Sequence, residues 1–414
     1  MRGFSLGPTA HWRFPEKGDT FAVPLNLPDI PMALHFTSTE FTCRREALLG
    51  RMAEAKLDAL FLFQQESMFW LTGYDTFGFC FFQCLVVRSD GTTALLTRSA
   101  DFRQAQRTST LSDIRIWRDG ADANPALDLK AMAAGMGLAG ARIGCEFESY
   151  GLVHSNGKKL EAAFDGFATL MDASTLVTAL RAVKSAEEIV YVREAARLSD
   201  LADRAAIEAT HAGADEGAIL AAQHNAIFTE GGDYPGNEFI IGSGGDALLC
   251  RYKSGRRKLA AQDQLTLEFA GAFRHYHAAI MRTHIIGTPS KRHLAYHAAA
   301  REALDACQDA MKPGNTAGDV FAAHAGVFDA HGLSSHRLNA CGYSLGAKFT
   351  PSWMDWPMFY SQNPWVLVPG MVLFAHMILM DSESETAMCL GRTYLIGERG
   401  AEAINAPDLA LVVR

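Results

Sequence analysis

The pattern of apolar and polar positions divides the chain at one long helix. Ahead of it, residues Thr39 to Ala55 carry Phe41, Leu48, Leu49 and Met52 at helical spacing. Short apolar runs of strand composition follow: LDALFLF, FFQCLVVR, TTALLTR, IRIWR and ARIGCEF, parted by turn signals such as Ser89 to Gly91. Helical stretches near Asn124 to Ala134 and Ser155 to Ala163 interleave with these runs, which predicts an α/β domain over residues 39–178. Residues 1–38 hold several prolines and no period, and they read as an irregular arm lying on the body.

The dividing helix opens at Ser185, with Glu188 three positions later, a capping-box signature. Ile189, Val192, Ala196 and Leu198 give it a buried stripe. Beyond it, strand-like NEFIIGS, QLTLEF, RHYHAAIMRTHIIG, MVLFAHMILM and RTYLIG alternate with helices at Arg292 to Met311 and Ala317 to His331. KPGNTAGD separates those two helices as a stop and restart. Residues 179–414 are therefore expected to form an α+β domain, with no internal repeat.

Length supports the division, because 414 residues exceed the roughly 250 to 300 at which single cores stop growing. The net charge of -8, with Lys and Arg scattered, argues against a nucleic-acid partner. The densest basic cluster, Arg251 to Lys258, is short enough to be a solvated loop. No apolar run reaches the roughly 18 residues of a membrane span, and the N-terminal residues lack a signal-peptide core, so a cytoplasmic location is expected. Of eight cysteines only Cys80 and Cys84 are close, without the second pair a zinc site needs; reduced thiols are expected.

Candidate chemistry concentrates in TLEFAGAFRHYHAAIMRTH, Thr266 to His284. It reads as two adjacent strands, with Glu268 on the first. On the second, His275, His277, Ala279 and Met281 share one face, and Tyr276, Ala278, Ile280 and Arg282 the other. A carboxylate facing imidazoles in a partly dry cleft suits acid and base work on water. The plainer alternatives are Glu268 paired structurally with Arg251 or Arg282, and core histidines with satisfied hydrogen bonds. His376 lies in almost wholly apolar VLFAHMILM, where an imidazole is costly unless bonded.

Several segments in order, RAVKSAEEI, KPGNT, GYSLG and VPGMVLFAHMILM, make the second half similar to the pita-bread family of methionine aminopeptidase, Xaa-Pro aminopeptidase, prolidase and creatinase. From residue 39 onward the chain resembles the creatinase and prolidase branch. The resemblance implies a creatinase-like α/β N-terminal domain followed by an α+β pita-bread catalytic domain. The family's metallopeptidases hold two metal ions with two Asp, one His and two Glu. Those positions fall here on Glu268, Ala279, Tyr343, His376 and Gly391. One carboxylate does not satisfy a hard divalent pair, so the expectation is no metal and no cofactor. Creatinase's catalytic His falls on Arg251 and its active-site Glu positions on Met281 and His376, so creatine hydrolysis is not implied.

The chain also resembles the metal-free ectoine hydrolase group, through WLTGYD with QC (Trp70 to Asp75, Gln83, Cys84), GGDYP (Gly231 to Pro235), FAG after a Glu, and GYSLG followed by Pro351 and Trp353. That resemblance implies a homodimeric, metal-independent hydrolase opening a carbon–nitrogen bond of a small polar compound. In this reading Glu268 and an imidazole of His376 or His277 activate the attacking group, and Tyr343 steadies an oxyanion. Arg251 captures a carboxylate. Met281, Asp75, Asp233, Tyr234 and Trp353 bind substrate, together with Trp70, Tyr74 and Phe79, which form a lid over the partner's site. Two alternatives stand beside it. One is a metal-dependent peptidase or lyase using one divalent ion held by Glu268, His277, His376 and an acidic residue of Asp381 to Glu385; the other is a ligand-binding protein without catalysis.

Overall fold

The computed structural model describes residues 34–253, 256–405 and 408–414. Most of the expected arm, residues 1–33, and positions 254–255 of the basic cluster lie outside the described residues.

The first layer begins with α1 (Ser38–Glu54), where the Thr37 hydroxyl accepts from the Glu40 N–H as the cap. Then come β1 (Ala59–Leu62), α2 (Gln65–Thr72), β2 (Cys84–Arg88), β3 (Thr93–Arg98), α3 (Phe102–Thr108), β4 (Ile114–Trp117), α4 (Pro125–Gly135), β5 (Arg142–Cys145), α5 (His154–Phe164), β6 (Thr169–Asp172) and α6 (Ser174–Arg181). The six strands form one mixed sheet in the order β4-β3-β2-β1-β5-β6. Central β1, ALFL, is buried at every position, as a strand covered on both faces must be.

The long helix α7 (Ala186–Ala209) starts with the expected capping box, Ser185 and Glu188 exchanging side-chain and backbone bonds. It leads to α8 (Glu216–Phe228), β7 (Ile240–Ser243), β8 (Asp263–Phe273), β9 (Tyr276–Ile286), α9 (Lys291–Ala310), α10 (Ala317–Ala330), β10 (Ala340–Ser344), β11 (Asp355–Tyr360), β12 (Val372–Asp381), β13 (Thr386–Gly397), β14 (Gly400–Ala403) and β15 (Val412–Val413). The nine strands make a second sheet with the path β11-β10-β12-β13-β9-β8-β7, while β14 pairs β13 and β15 pairs β9.

Strand alternation decides which face does what. Tyr276 donates to Glu188 at 2.7 Å and Arg282 pairs with Asp203 at 3.3 Å, so that side of β9 packs on α7. Ala278 joins it against Ala195 and Ala196. Arg282 is thereby turned away from Glu268, which removes it as that carboxylate's partner. His277, Ala279 and Met281 take the opposite face.

Strands β8 and β9 pair without a break from Asp263↔Ile286 to Phe273↔Tyr276, leaving Arg274 and His275 alone in the turn. Their φ values are 49° and 67°. Two-residue hairpins favour this geometry, but usually with Asn or Gly; a bulky residue there costs about 1–3 kcal/mol. Neighbours hold the turn in place. The Arg274 N–H donates to Asp233, its Nη1 donates to the Tyr191 hydroxyl at 2.6 Å, and His275 Nε2 bonds Asp75 at 2.9 Å. The His275 ring stacks on Phe349 with centroids 4.1 Å apart. His275 is thus a turn residue rather than a member of the His277 face, which corrects the sequence expectation.

Close approach of α7 to β8 depends on Gly271, where a Cβ would lie 2.1 Å from the Ala195 carbonyl oxygen and 2.6 Å from the Ser199 nitrogen. Gly271→Ala is predicted to lower unfolding stability by about 1–3 kcal/mol, or more if the helix must move bodily. Urea titration followed by circular dichroism measures this, and an unchanged midpoint would contradict the packing described.

Candidate active site

Register brings the site together in one row across the second sheet. His376 of β12 opposes Gly391 of β13, Gly391 opposes Met281 of β9, Met281 opposes Glu268 of β8, and Glu268 opposes Ile240 of β7. Opposed residues of antiparallel strands share a face, so Glu268, Met281 and His376 look the same way. Tyr343 joins them because it opposes Phe374, two positions from His376 on β12.

Glu268 is half-buried. Its Oε1 accepts the Tyr343 hydroxyl at 2.8 Å, and the Tyr343 oxygen accepts the Trp353 indole N–H at 2.9 Å. Burial raises the Glu268 pKa above the ordinary carboxylate value, while the Tyr343 bond and the Arg251 charge pull the other way. Burial, with the neighbouring Glu268 charge, pushes the Tyr343 phenol well above its usual value, so it stays a donor. That single proton is committed to Glu268, which corrects the assignment of Tyr343 to a developing oxyanion.

The His376 ring lies 5.6 Å from that of Tyr343 and 5.5 Å from that of Phe374. Burial first, and the Arg251 charge second, lower its pKa to about 4, so the imidazole is neutral. Its Nδ1 is buried without a partner among the described residues, an orphaned polar atom on the Glu268 face of the sheet. Arg251 is exposed at the rim, its Nη2 4.0 Å from the Met354 sulfur, and it makes no ion pair with a described residue. Cys250 and Cys389, not anticipated from the sequence, lie near enough for the Glu268 charge to add to burial in keeping their thiols protonated.

Other expected site residues take different places. His277 accepts the Gly236 N–H on Nε2 at 2.8 Å and its Nδ1 bonds the Gly346 carbonyl at 3.3 Å. Burial lowers its pKa to about 4, and with both nitrogens engaged it is a holder of loops rather than a free base. Trp70 and Tyr74 belong to the first domain's own core, where the Tyr74 hydroxyl lies 3.3 Å from Gln83 and Thr97. Neither is placed to serve as a lid. Phe79 packs against Phe349 at 6.3 Å on the wall of an interdomain cavity of about 650 Å³. Burial opposes ionisation of Asp75, but its bonds to His275 and His35 hold the carboxyl well below the usual range; with Asp233 it secures the β8–β9 turn. Tyr234 is 81% exposed, against Phe228. Trp353 is 1% exposed and donates to Tyr343, so it is a neighbour of the Tyr343–Glu268 pair rather than a substrate contact. Asn237, whose Oδ1 accepts the Trp353 N–H at 3.0 Å, carried no signal in the sequence.

The five positions to which the sequence resemblance carries metal ligands all lie on this one sheet face, as Glu268, Ala279, Tyr343, His376 and Gly391. At Gly391 a Cβ would meet Phe374 Cζ at 3.0 Å and the Ala375 carbonyl oxygen at 2.9 Å, so no carboxylate fits there. Among the described residues no group of three or more His, Cys, Asp or Glu is arranged to hold an ion. Asp381 is bonded to Arg292, Tyr296 and Ser384, five residues along β12 from His376. It brings no carboxylate to the row.

Comparison with known proteins identifies the fold and the family. An uncharacterised hydrolase/peptidase of Sinorhizobium fredii is 26% identical over 92% of this chain and 99% of its own length. The ectoine hydrolase of Halomonas elongata is 24% identical over 91% of this chain and 97% of its own length. Among solved structures, a recombinant prolidase from Thermococcus sibiricus superposes with a TM-score of 0.82 at 18% identity, covering 91% of this chain and 100% of that one. That likeness shows the fold alone: a creatinase-type N-terminal domain on a pita-bread domain. Residues 44–183 match the creatinase/prolidase N-terminal domain and residues 190–403 match metallopeptidase family M24, and the chain belongs to that family.

Proposed function

We propose that this M24 hydrolase works without a metal, opening an amide or amidine carbon–nitrogen bond in a small, carboxylate-bearing nitrogen compound. The observation that carries the reading is the Trp353, Tyr343 and Glu268 chain of hydrogen bonds standing where the family's metal ligands would be. The residues present do not fit the family's metal pair. One carboxylate already bonded by a phenol, with a neutral imidazole and a thioether, is a poor donor set for hard divalent ions. The crowded Gly391 denies a further ligand.

In this mechanism Glu268 removes a proton from water as the water oxygen attacks the substrate carbon, then returns it to the departing nitrogen. Loss of solvent favours this role by raising the carboxylate's basicity. The His376 Nδ1, unpartnered among the described residues, bonds a polar atom of the substrate, and Arg251, in no ion pair with a described residue, binds the substrate's carboxylate. Met281 floors the site. The full-length likeness to an ectoine hydrolase supports a cyclic amidine as the first compound to assay. A homodimer is part of the same proposal.

Glu268→Gln is predicted to lower kcat at least about 100-fold while ligand affinity stays within a few-fold. Turnover that survives the change would overturn the assignment, and absence of turnover in both forms with binding intact would mark a ligand-binding protein. Arg251→Ala should raise KM about 10- to 100-fold for a carboxylated substrate and far less for its amide. Because Glu268 acts ionised and its pKa is raised, kcat/KM should fall as pH drops through a value above the ordinary carboxylate range. A rate independent of pH across that window would contradict a carboxylate base.

A further inference from the structure

We propose that Trp353 is a positioning residue: its indole N–H locks the Tyr343 hydroxyl so that the phenol donates to Glu268 Oε1 and Oε2 alone is left for substrate. An indole N–H donates and cannot accept, whereas a phenol hydroxyl has one proton and turns about its C–O bond. With the indole Nε1–H donating to one side of the phenol oxygen, Nε1 to oxygen 2.9 Å, the phenol's own proton is forced to the other side. There Glu268 Oε1 waits at 2.8 Å. Trp353 is 1% and Tyr343 3% exposed, so water does not compete for either bond.

The tryptophan is itself held from behind, which gives buried His277 a purpose. His277 bridges the Gly346 carbonyl and the Gly236 N–H, pinning the loop next to Asn237. The Asn237 Oδ1 accepts the Trp353 backbone N–H at 3.0 Å. Gly236 lets the loop press close, since a Cβ there would lie 3.0 Å from the Trp353 nitrogen. A continuous series of contacts therefore runs from His277 through Gly236, Asn237, Trp353 and Tyr343 to Glu268. The alternative, that Trp353 merely fills space, leaves the direction of the Tyr343 proton unset.

The inference rests on Glu268 as the reacting group, but its test does not need a substrate. Infrared difference titration of the wild-type protein should show a protonated-carboxyl band that Glu268→Gln removes, and its midpoint reports the Glu268 pKa. Trp353→Phe keeps most of the volume and removes the N–H. It is predicted to raise that midpoint by about half a unit to one unit, the equivalent of one net hydrogen bond. Tyr343→Phe should raise it at least as much, and the double variant should match Tyr343→Phe alone, because the indole acts only through the phenol. An unmoved midpoint in Trp353→Phe, or additive shifts in the double variant, would overturn the proposal. Should Trp353→Phe fail to fold, the indole ¹H–¹⁵N spectrum decides: Tyr343→Phe must move one resonance upfield, and a spectrum without that change refutes the bond. Turnover in Glu268→Gln would sink the functional reading while leaving this result intact.

Discussion

The register of β8 against β9 is the constraint on which everything else rests. The side-chain period of a strand is two, so slipping the hairpin by one residue would either turn Glu268 toward α7 or bring Tyr276 and Arg282 into the cleft beside it. Register is fixed at the turn, where Arg274 and His275 occupy a conformation that suits glycine better. Contacts from elsewhere offset that cost: Asp233 from the loop before β7, Tyr191 from α7, and Asp75 from the other domain. Correct placement of the Glu268 carboxylate is therefore tied to the seating of the first domain on the second. A buried junction reinforces it, with Lys348 2.9 Å from Glu66 and Arg181 bonded to Asp355.

On this scaffold the site follows from what the row lacks. A cluster of carboxylates repels itself and needs cations; with Ala279, Tyr343, His376 and Gly391 in its place, the row keeps one acid. With no second carboxylate in the row, Glu268 feels loss of solvent as its largest influence and becomes more basic, against the pull of the Tyr343 bond and the Arg251 charge. The phenol bond works against that effect and sets its limit. Phe374 fills the space beside Gly391, so in the proposed reading the packing, as well as the ligand list, works against a metal pair.

Much of the scaffold was legible in the sequence because its signals are local. The capping box at Ser185, the strand runs around Glu268 and His376, and the Lys-Pro-Gly break between α9 and α10 each lie within a few residues. Alternation along β9 correctly separated the His277 face from the Tyr276 face. What failed depended on distant partners. His275 reads as a strand residue until the eleven-residue pairing shows where the turn falls. The aromatic run around Trp70 looked like a lid, yet Trp70 and Tyr74 are buried in the first domain's core. His277 looked like a base because nothing in its neighbourhood reveals that Gly236 and Gly346 take both nitrogens. The Trp353 to Tyr343 bond spans ten residues but crosses between a loop and a strand, and no periodicity announces it.

The central claim, catalysis by a phenol-bonded carboxylate in place of a metal pair, meets its most direct test in the metal content of the active protein. Elemental analysis of enzyme purified without chelator would be paired with turnover of a cyclic amidine substrate before and after exhaustive chelation. The account predicts far less than stoichiometric metal and turnover unchanged by the chelator. Near-stoichiometric metal, with activity lost on chelation and restored by the same ion, would contradict it.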